Sequence, residues 1–77
     1  MQKVFIYSTP TCVYCNAAKV FFKDRNVAYE EFNVASDLPR RKEMIDKSGQ
    51  MGVPVIMIGD KVIVGFNQPL LEKALKE

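Results

Sequence analysis

The stretch that decides the fold is KVFIYSTPTCVYC, residues 3–15, which joins an apolar run to two closely spaced cysteines. The run over residues 3–7 is rich in β-branched and aromatic residues and does not alternate with polar ones, which is typical of a strand covered on both faces. Thr11 has the chemistry of a helix cap, so the first turn of a helix is predicted to hold Cys12 and Cys15. A central strand therefore leads directly into a helix that begins at the cysteines.

The next part of the chain continues the alternation of strands and helices. Apolar residues at helical spacing extend the first helix to residues 24–26, and a half-exposed edge strand is predicted over residues 27–34. A second helix begins near Asp37 and stops at Gly49, the residue type that favours helix ends. Its expected apolar stripe consists of Leu38, Met44 and Ile45.

The last third of the chain predicts a hairpin and a final helix. Gly59-Asp60 is a two-residue hairpin signal between strands over residues 53–58 and 61–64. Asn67 can cap a helix whose expected buried stripe consists of Leu70, Leu71, Ala74 and Leu75. The pattern predicts an α/β fold, a four-stranded mixed sheet flanked by three helices, as one domain over residues 1–77.

The short N-terminal apolar run and the low net charge argue against a membrane protein and against a nucleic-acid-binding protein. The N-terminal apolar run is far too short for a signal peptide or a membrane span, so we expect a cytoplasmic protein with no membrane partner. The formal net charge is only +2, and the basic cluster over residues 40–42 is followed by Glu43. That cluster is predicted to be a solvated helix face or, less readily, a contact for an acidic partner. Nucleic-acid binding needs a broader basic surface.

The two cysteines are too close together to act as a structural staple. A bond between Cys12 and Cys15 would close a loop of a few residues, and the entropic stabilisation from a disulfide grows with loop length. Structural disulfides are rare in the cytosol, so a close pair there is expected to be catalytic or metal-binding. A C-x-x-C motif beside a β-α-β pattern is the sequence form of a thioredoxin-like redox site.

Their positions on the helix predict different roles for the two thiols. Cys12 stands at the helix N-terminus, where unpaired N–H groups and the helix dipole favour a negative charge, so it is the expected thiolate nucleophile. Cys15 lies one turn further in, is expected to be less exposed, and would resolve the mixed disulfide. The chain has no histidine to act as a base. Lys19 is either a weak cationic helper or a plainly solvated side chain.

Other uses of the same cysteines stay open from the residues alone. Two buried, inert thiols would need an apolar site, which the polar segment Thr9-Pro10-Thr11 does not favour. A zinc site needs four ligands, and this chain offers two cysteines and no histidine. An iron–sulfur cluster shared by two chains would need thiolates from outside. Metal or cluster carriage and a redox-sensing interaction module are therefore alternatives to disulfide reduction, and no metal is expected.

With these residues in place, the chain resembles the glutaredoxin family, and within it the short proteins close to NrdH-type redoxins. Residues 6–19 resemble the family's active-site segment, residues 52–55 its cis-proline segment, and Gly65 the start of its glycine-rich turn. The resemblance implies the thioredoxin-like fold and a cis Val53-Pro54 peptide bond. It implies disulfide-containing proteins as substrates. It also implies glutathione or a thioredoxin-reductase-type flavoprotein as reductant, with no tightly bound cofactor.

The resemblance also implies which residues contact the substrate. An extended peptide or glutathione could pair with the Val53 backbone as an added strand. The N–H groups at the start of the last helix could hold a carboxylate. The expected substrate-binding residues are Thr9, Tyr14, Val53, Pro54, Gly65, Phe66 and Asn67.

Several positions depart from the usual glutaredoxin pattern. Val13 stands where proline is common, which is similar to the NrdH-type motif. Ser8 and Thr9 stand where a basic residue often helps to hold a carboxylate of glutathione. Phe66 stands where the second glycine of the turn is expected, either as a packing residue or as a contact for a protein partner.

Overall fold

The computed structural model describes residues 3–76 and contains the predicted strands and helices in the predicted order. The elements are β1 (Val4–Ser8), α1 (Val13–Asp24), β2 (Glu30–Asn33), α2 (Leu38–Ser48), β3 (Val55–Ile58), β4 (Lys61–Val64) and α3 (Gln68–Lys76). Within this part of the chain, no helix is long and apolar enough to cross a membrane. The predicted four-stranded mixed sheet with three helices is confirmed.

The order of the strands sets which loops meet at one end of the sheet. The order is β2-β1-β3-β4, so β1 lies inside the sheet and β2 at its edge, as predicted. β1 is parallel to β2 and antiparallel to β3, and β3 and β4 form the predicted antiparallel hairpin. Tyr7 lies opposite Val55, and Val55 lies opposite Val64. The segments after β1, before β3 and after β4 therefore leave the sheet at the same end.

The central strands supply side chains to two cores, one on each face of the sheet, because alternate residues of a strand point in opposite directions. The core beneath α1 and α3 contains Val4, Ile6, Ala18, Phe21, Phe22, Ile56, Ile58, Ile63, Leu71 and Ala74. The core beneath α2 contains Tyr7, Val34, Met44, Val55 and Met57. Burial on both faces explains the continuous apolar run of β1. Full burial of Phe22 contributes about 1.5–3 kcal/mol to holding α1 on the sheet.

Both ends of α2 lie where the sequence predicted them. The side chain of Asp37 accepts a hydrogen bond from the backbone N–H of Arg40 at 3.1 Å, which satisfies a first-turn donor. Gly49 ends the helix with a φ of 75°, in the left-handed region. A residue with a Cβ atom pays about 1–2 kcal/mol for that conformation, which favours glycine there.

Two predicted strand boundaries are wrong. The second strand begins at Glu30 rather than at residue 27, because the N–H of Val27 donates to the carbonyl of Phe22 at 2.9 Å and still closes the end of α1. The third strand begins at Val55 rather than at residue 53. Pro54 has no N–H with which to enter the ladder of hydrogen bonds.

Two leucines predicted to be in buried stripes are exposed. Leu38 is 64% exposed and Leu70 is 49% exposed. Leu38 lies about 120° around the helix from the buried Met44, which puts it on a different face. Leu70 lies at the edge of the α3 stripe, of which Leu71 and Ala74 form the buried part.

Candidate active site

The first cysteine itself caps the helix that carries both thiols. Cys12 has the extended backbone of a cap residue, and its Sγ accepts a hydrogen bond from the backbone N–H of Cys15 at 3.2 Å. The N–H of Cys12 donates to the carbonyl of Thr9 at 3.2 Å and closes the turn that precedes α1. The prediction that Thr11 caps the helix is wrong, because Thr11 lies exposed within that turn and the sulfur of Cys12 satisfies the first-turn donor.

The two thiols differ in burial, as the sequence predicted. Both cysteines are free thiols, Cys12 is half-buried, and Cys15 is 0% exposed. Burial and then the hydrogen bond with Cys12 raise the pKa of Cys15 to about 12, while the Thr9 backbone and the charge of Lys19 act in the opposite direction. Cys15 is therefore a neutral thiol at neutral pH, and Cys12 is the more exposed of the two cysteines.

The proline segment lies at the same end of the sheet as the cysteines. Tyr7, near the end of β1, faces Val55, which directly follows Pro54. The Val53-Pro54 peptide bond is cis, which confirms what the resemblance implied. Pro54 is fully buried, whereas Val53 is half-buried and packs against the core beneath α2.

The turn after β4 is tied to the proline segment. The backbone N–H of Gly65 donates to the carbonyl of Pro54 at 2.8 Å. Gly65 has a φ of 78°, and a Cβ atom added there would meet nothing within 4 Å. The need for glycine therefore comes from the backbone conformation and not from crowding. The structure brings these two predicted site residues together.

Phe66 and Asn67 both make contacts within the fold. The half-buried ring of Phe66 lies 6.0 Å from the ring of Phe21 in an edge-to-face arrangement. The side-chain oxygen of Asn67 accepts a hydrogen bond from the N–H of Leu70 at 3.3 Å, which confirms Asn67 as the cap of α3. Both predicted binding residues thus have a structural role.

The first turn of α1 presents apolar side chains to solvent. Val13 is 74% exposed and Tyr14 is 66% exposed, although both are large hydrophobic residues. Thr9 is half-buried in the turn before the helix. Two large hydrophobic side chains are therefore exposed in the turn of helix that follows the half-buried Cys12.

A polar network that the sequence did not predict links α1, the helix of Cys15, to β1 and β2. The hydroxyl of Ser8, which is 1% exposed, donates to Oε2 of Glu31 at 2.6 Å, and Nζ of Lys19 lies 2.9 Å from the same oxygen. Two features of the sequence pointed towards it: a serine at the end of a buried apolar strand, and a lysine four residues after Cys15 on one helix. Lys19 is paired and partly buried, so the prediction of a plainly solvated side chain is wrong.

The site offers few side chains that could bind a metal ion. Within residues 3–76, no three Cys, Asp or Glu side chains are grouped so that they could hold a metal ion. A tetrahedral zinc site and an iron–sulfur cluster each take four ligands. Metal or cluster carriage would therefore need ligands beyond Cys12 and Cys15.

The known proteins that this chain resembles in sequence all point to one family. The sequence profile named Glutaredoxin matches residues 4–63. A glutaredoxin-like 8.6 kDa protein in the rubredoxin operon of Clostridium pasteurianum is 44% identical over 72 residues, which cover 94% of this chain and 96% of that protein. Glutaredoxin 3 of Escherichia coli is 37% identical over 65 residues, which cover 84% of this chain and 78% of that protein.

The fold comparison agrees with the sequence comparison. NrdH-redoxin of Escherichia coli, a glutaredoxin-like protein with a thioredoxin-like activity profile, superposes with a TM-score of 0.79 and 28% identity. The superposition covers 92% of each chain. Because the family profile spans both the cysteine pair and the proline segment, this chain belongs to the glutaredoxin family of thiol–disulfide oxidoreductase-like proteins.

Proposed function

We propose that this protein is a dithiol thiol–disulfide oxidoreductase that reduces protein disulfides or mixed disulfides with glutathione. One observation carries the proposal: the N–H of Cys15 donates to Sγ of Cys12 at 3.2 Å, at the start of α1. A helix N-terminus favours negative charge, and the thiolate is the form of cysteine that attacks disulfides. Cys12 is therefore the nucleophile, and the buried Cys15 is the resolving thiol.

The reaction has two exchanges of sulfur partners. Cys12 attacks one sulfur of the substrate disulfide, keeps it as a mixed disulfide, and releases the other sulfur as a thiolate. Cys15 then attacks Sγ of Cys12, the mixed disulfide breaks, and the second substrate sulfur leaves. The substrate gains two electrons, and the protein ends with a disulfide between Cys12 and Cys15. Burial of Cys15 supports this order, because it keeps the second thiol away from the incoming substrate.

The surface around Cys12 supplies the substrate contacts in this proposal. The exposed ring of Tyr14 and the neighbouring Thr9 flank the nucleophile. The Val53 backbone, next to Pro54, pairs with an extended peptide or with glutathione. Across the turn, the backbone N–H groups of Asn67 and Gln68 at the start of α3 hold a carboxylate, with Gly65 and Phe66 shaping that part of the surface.

The oxidised protein needs a reductant. We assign that role to glutathione as a co-substrate in the cytoplasm, with a thioredoxin-reductase-type flavoprotein as the second route. The absence of a basic side chain at Ser8 and Thr9 weakens the electrostatic case for glutathione. The thioredoxin-like activity profile of the NrdH-redoxin relative supports keeping the flavoprotein route in the test.

A coupled assay tests the proposal. Insulin reduction is followed through NADPH consumption, with glutathione and glutathione reductase in one arm and thioredoxin reductase in the other. We expect wild-type turnover in at least one arm and none with Cys12→Ser in either. Cys15→Ser should retain only the reduction of glutathione mixed disulfides. Turnover by Cys12→Ser would contradict the proposal, and visible absorption bands of the purified protein in place of turnover would favour a cluster carrier.

A further inference from the structure

Three side chains from three elements meet beside the resolving cysteine. Lys19 of α1 and Ser8 of β1 both contact the same oxygen of Glu31 on β2, at 2.9 Å and 2.6 Å. Lys19 lies four residues after Cys15 on α1, and residues at that spacing are neighbours on one face of a helix. The network therefore holds an ammonium group on the same face of α1 as a thiol that is 0% exposed.

We propose that Lys19 is a positioning residue for the second exchange: held by Glu31 and Ser8, its positive charge favours the thiolate of Cys15 as that thiol attacks the mixed disulfide on Cys12. The inference rests on the proposed function, because it assigns a role within its second step. It makes specific the alternative drawn from the sequence, in which Lys19 is a weak cationic helper.

The second exchange, in which Cys15 attacks the mixed disulfide, requires Cys15 to be deprotonated. Cys15 must lose its proton to become a nucleophile, yet burial raises the pKa of this thiol to about 12. The chain has no histidine to act as a base. The charge of Lys19 lowers the pKa of Cys15, and a charge on Cys15 in turn raises the pKa of Lys19. The two groups therefore favour each other's charged form.

The other two members of the network explain why the ammonium stays near Cys15. Glu31 is ionised, because its hydrogen bonds with Ser8 and Lys19 hold the pKa of its carboxyl below the usual range. Ser8 is 1% exposed at the end of the central strand, and its buried hydroxyl holds the carboxylate of Glu31 in place. The Lys19 side chain is 24% exposed, which restricts the volume that its ammonium can sample.

The step balances without an added oxidant or reductant. The thiol proton of Cys15 passes to solvent, which reaches the network through a cleft of about 410 Å³ bordered by Ser8, Pro10, Lys19, Glu31 and Asn33. The Cys15 thiolate attacks Sγ of Cys12, a bond forms between those two sulfurs, and the bond from Cys12 to the substrate sulfur breaks. The leaving sulfur takes the electron pair and then a proton, so the net proton count is zero.

A single-turnover experiment separates the two exchanges. The reduced protein is mixed in a stopped-flow instrument with an excess of a symmetrical aromatic disulfide whose thiolate absorbs visible light. One thiolate is released when Cys12 attacks, and a second is released when Cys15 resolves the mixed disulfide. The first phase reports on the nucleophile and the second phase on the step assigned to Lys19.

Four variants make the test specific. Lys19→Gln should slow the second phase about threefold and leave the first phase near wild type, since the lower thiolate fraction is partly offset by the greater nucleophilicity of a more basic thiolate. Lys19→Arg keeps the charge and should restore the second phase. Glu31→Gln keeps the positive charge of Lys19 but loses the ion pair that holds it, so its second phase should slow less than in Lys19→Gln. Lys23→Gln removes an exposed charge from the same helix as a control.

The outcomes separate failure of this inference from failure of the proposed function. An unchanged second phase in Lys19→Gln, or a second phase in Lys19→Arg as slow as in Lys19→Gln, would overturn the role of Lys19, because its positive charge would then not be what speeds the second exchange. Absence of the second phase in the wild type would overturn the proposed function instead. Circular dichroism checks that each variant is folded, and Lys19→Met repeats the charge deletion if Lys19→Gln is not.

Discussion

Sγ of Cys12 accepts a hydrogen bond from the backbone N–H of Cys15 at 3.2 Å. The backbone of one cysteine therefore stabilises the sulfur of the other. The contact follows from helix geometry, because the side chain of a cap residue reaches the N–H groups of the first turn. It places a hydrogen-bond donor on Cys12 at the same point where the chain buries Cys15. A single turn of helix thereby gives two identical side chains different chemical environments.

Alkylation should reach Cys12 long before Cys15. The thiolate is the reactive form, and burial raises the pKa of Cys15 from 9.0 to about 12. We therefore expect iodoacetamide to modify Cys15 slowly at neutral and mildly alkaline pH, with its rate climbing only as the pH approaches 12. Timed quenching over a pH series, followed by peptide mapping with mass spectrometry, measures each site.

The same chain in denaturant is the matched control for that measurement. Once unfolded, Cys15 should titrate near its ordinary value of 9.0. Because folding raises this pKa, the neutral thiol favours the folded state fully below pH 9.0, and that contribution is lost as the pH rises towards 12. Equal labelling of Cys12 and Cys15 in the folded protein below pH 9.0 would show that Cys15 is not shielded.

The cap of α2 gives a prediction about stability. Asp37→Ala removes the oxygen that accepts the N–H of Arg40 at 3.1 Å, and we expect the free energy of unfolding to fall by about 0.5–2 kcal/mol. Asp37→Asn keeps an acceptor in the same position and should lose much less. Urea denaturation followed by circular dichroism compares the variants. An equal loss in Asp37→Asn would assign the stabilisation to the charge of Asp37 and not to its hydrogen bond.

Helix ends and turns, which depend on only a few neighbouring residues, were predictable from the sequence. Asp37 bounds α2 through its side-chain oxygen and Gly49 through its backbone conformation, and Gly59-Asp60 joins β3 to β4 in the predicted hairpin. The network of Ser8 and Glu31 was not predictable in this way, because these residues lie 23 positions apart and meet only through the parallel pairing of β1 and β2. Signals within a few residues predict where helices, strands and turns lie. Contacts between side chains of different strands can be predicted only when the pairing register of those strands is known.

The same division applies to the candidate site. The spacing of Cys12 and Cys15 predicted their unequal burial, since one turn of a helix separates the surface from the core. The identity of the cap was missed, because a cysteine is a weaker acceptor than Thr11 and the choice depends on where β1 ends. The packing of Phe66 against Phe21 required the position of α1 over the sheet, which periodicity does not give.

A buried phenol gives a stability prediction with a pH dependence. Tyr7, which is 1% exposed, donates a hydrogen bond to Glu43, and this bond is the main reason that the pKa of Glu43 lies below its ordinary value of 4.5. Tyr7→Phe should lower the free energy of unfolding by about 0.5–1.5 kcal/mol at neutral pH. A lowered carboxyl pKa stabilises the fold above 4.5 and loses that effect as the pH falls, so the difference between wild type and variant should shrink in acid.

Tyr14→Phe is the matched control for that substitution. It deletes the same hydroxyl from a ring that is 66% exposed, so its free energy of unfolding should match the wild type at every pH. Chemical denaturation at neutral pH and below 4.5 gives both values for each variant. A difference between Tyr7→Phe and wild type that does not change with pH would show that Glu43 is not the group through which the hydroxyl acts.

The reduction potential of the Cys12–Cys15 pair should lie between the roughly −200 to −230 mV of glutaredoxins and the roughly −270 mV of thioredoxin. The N–H of Cys15 stabilises a charge on Cys12 and so favours the reduced form, which makes the pair more oxidising. Cys15 gains no such stabilisation, because its raised pKa keeps it neutral. Equilibration against glutathione buffers, with thiol trapping, measures the potential, and Cys15→Ser reports separately on the mixed disulfide at Cys12. A value near the roughly −120 mV of a strong oxidant would contradict the proposed reducing role.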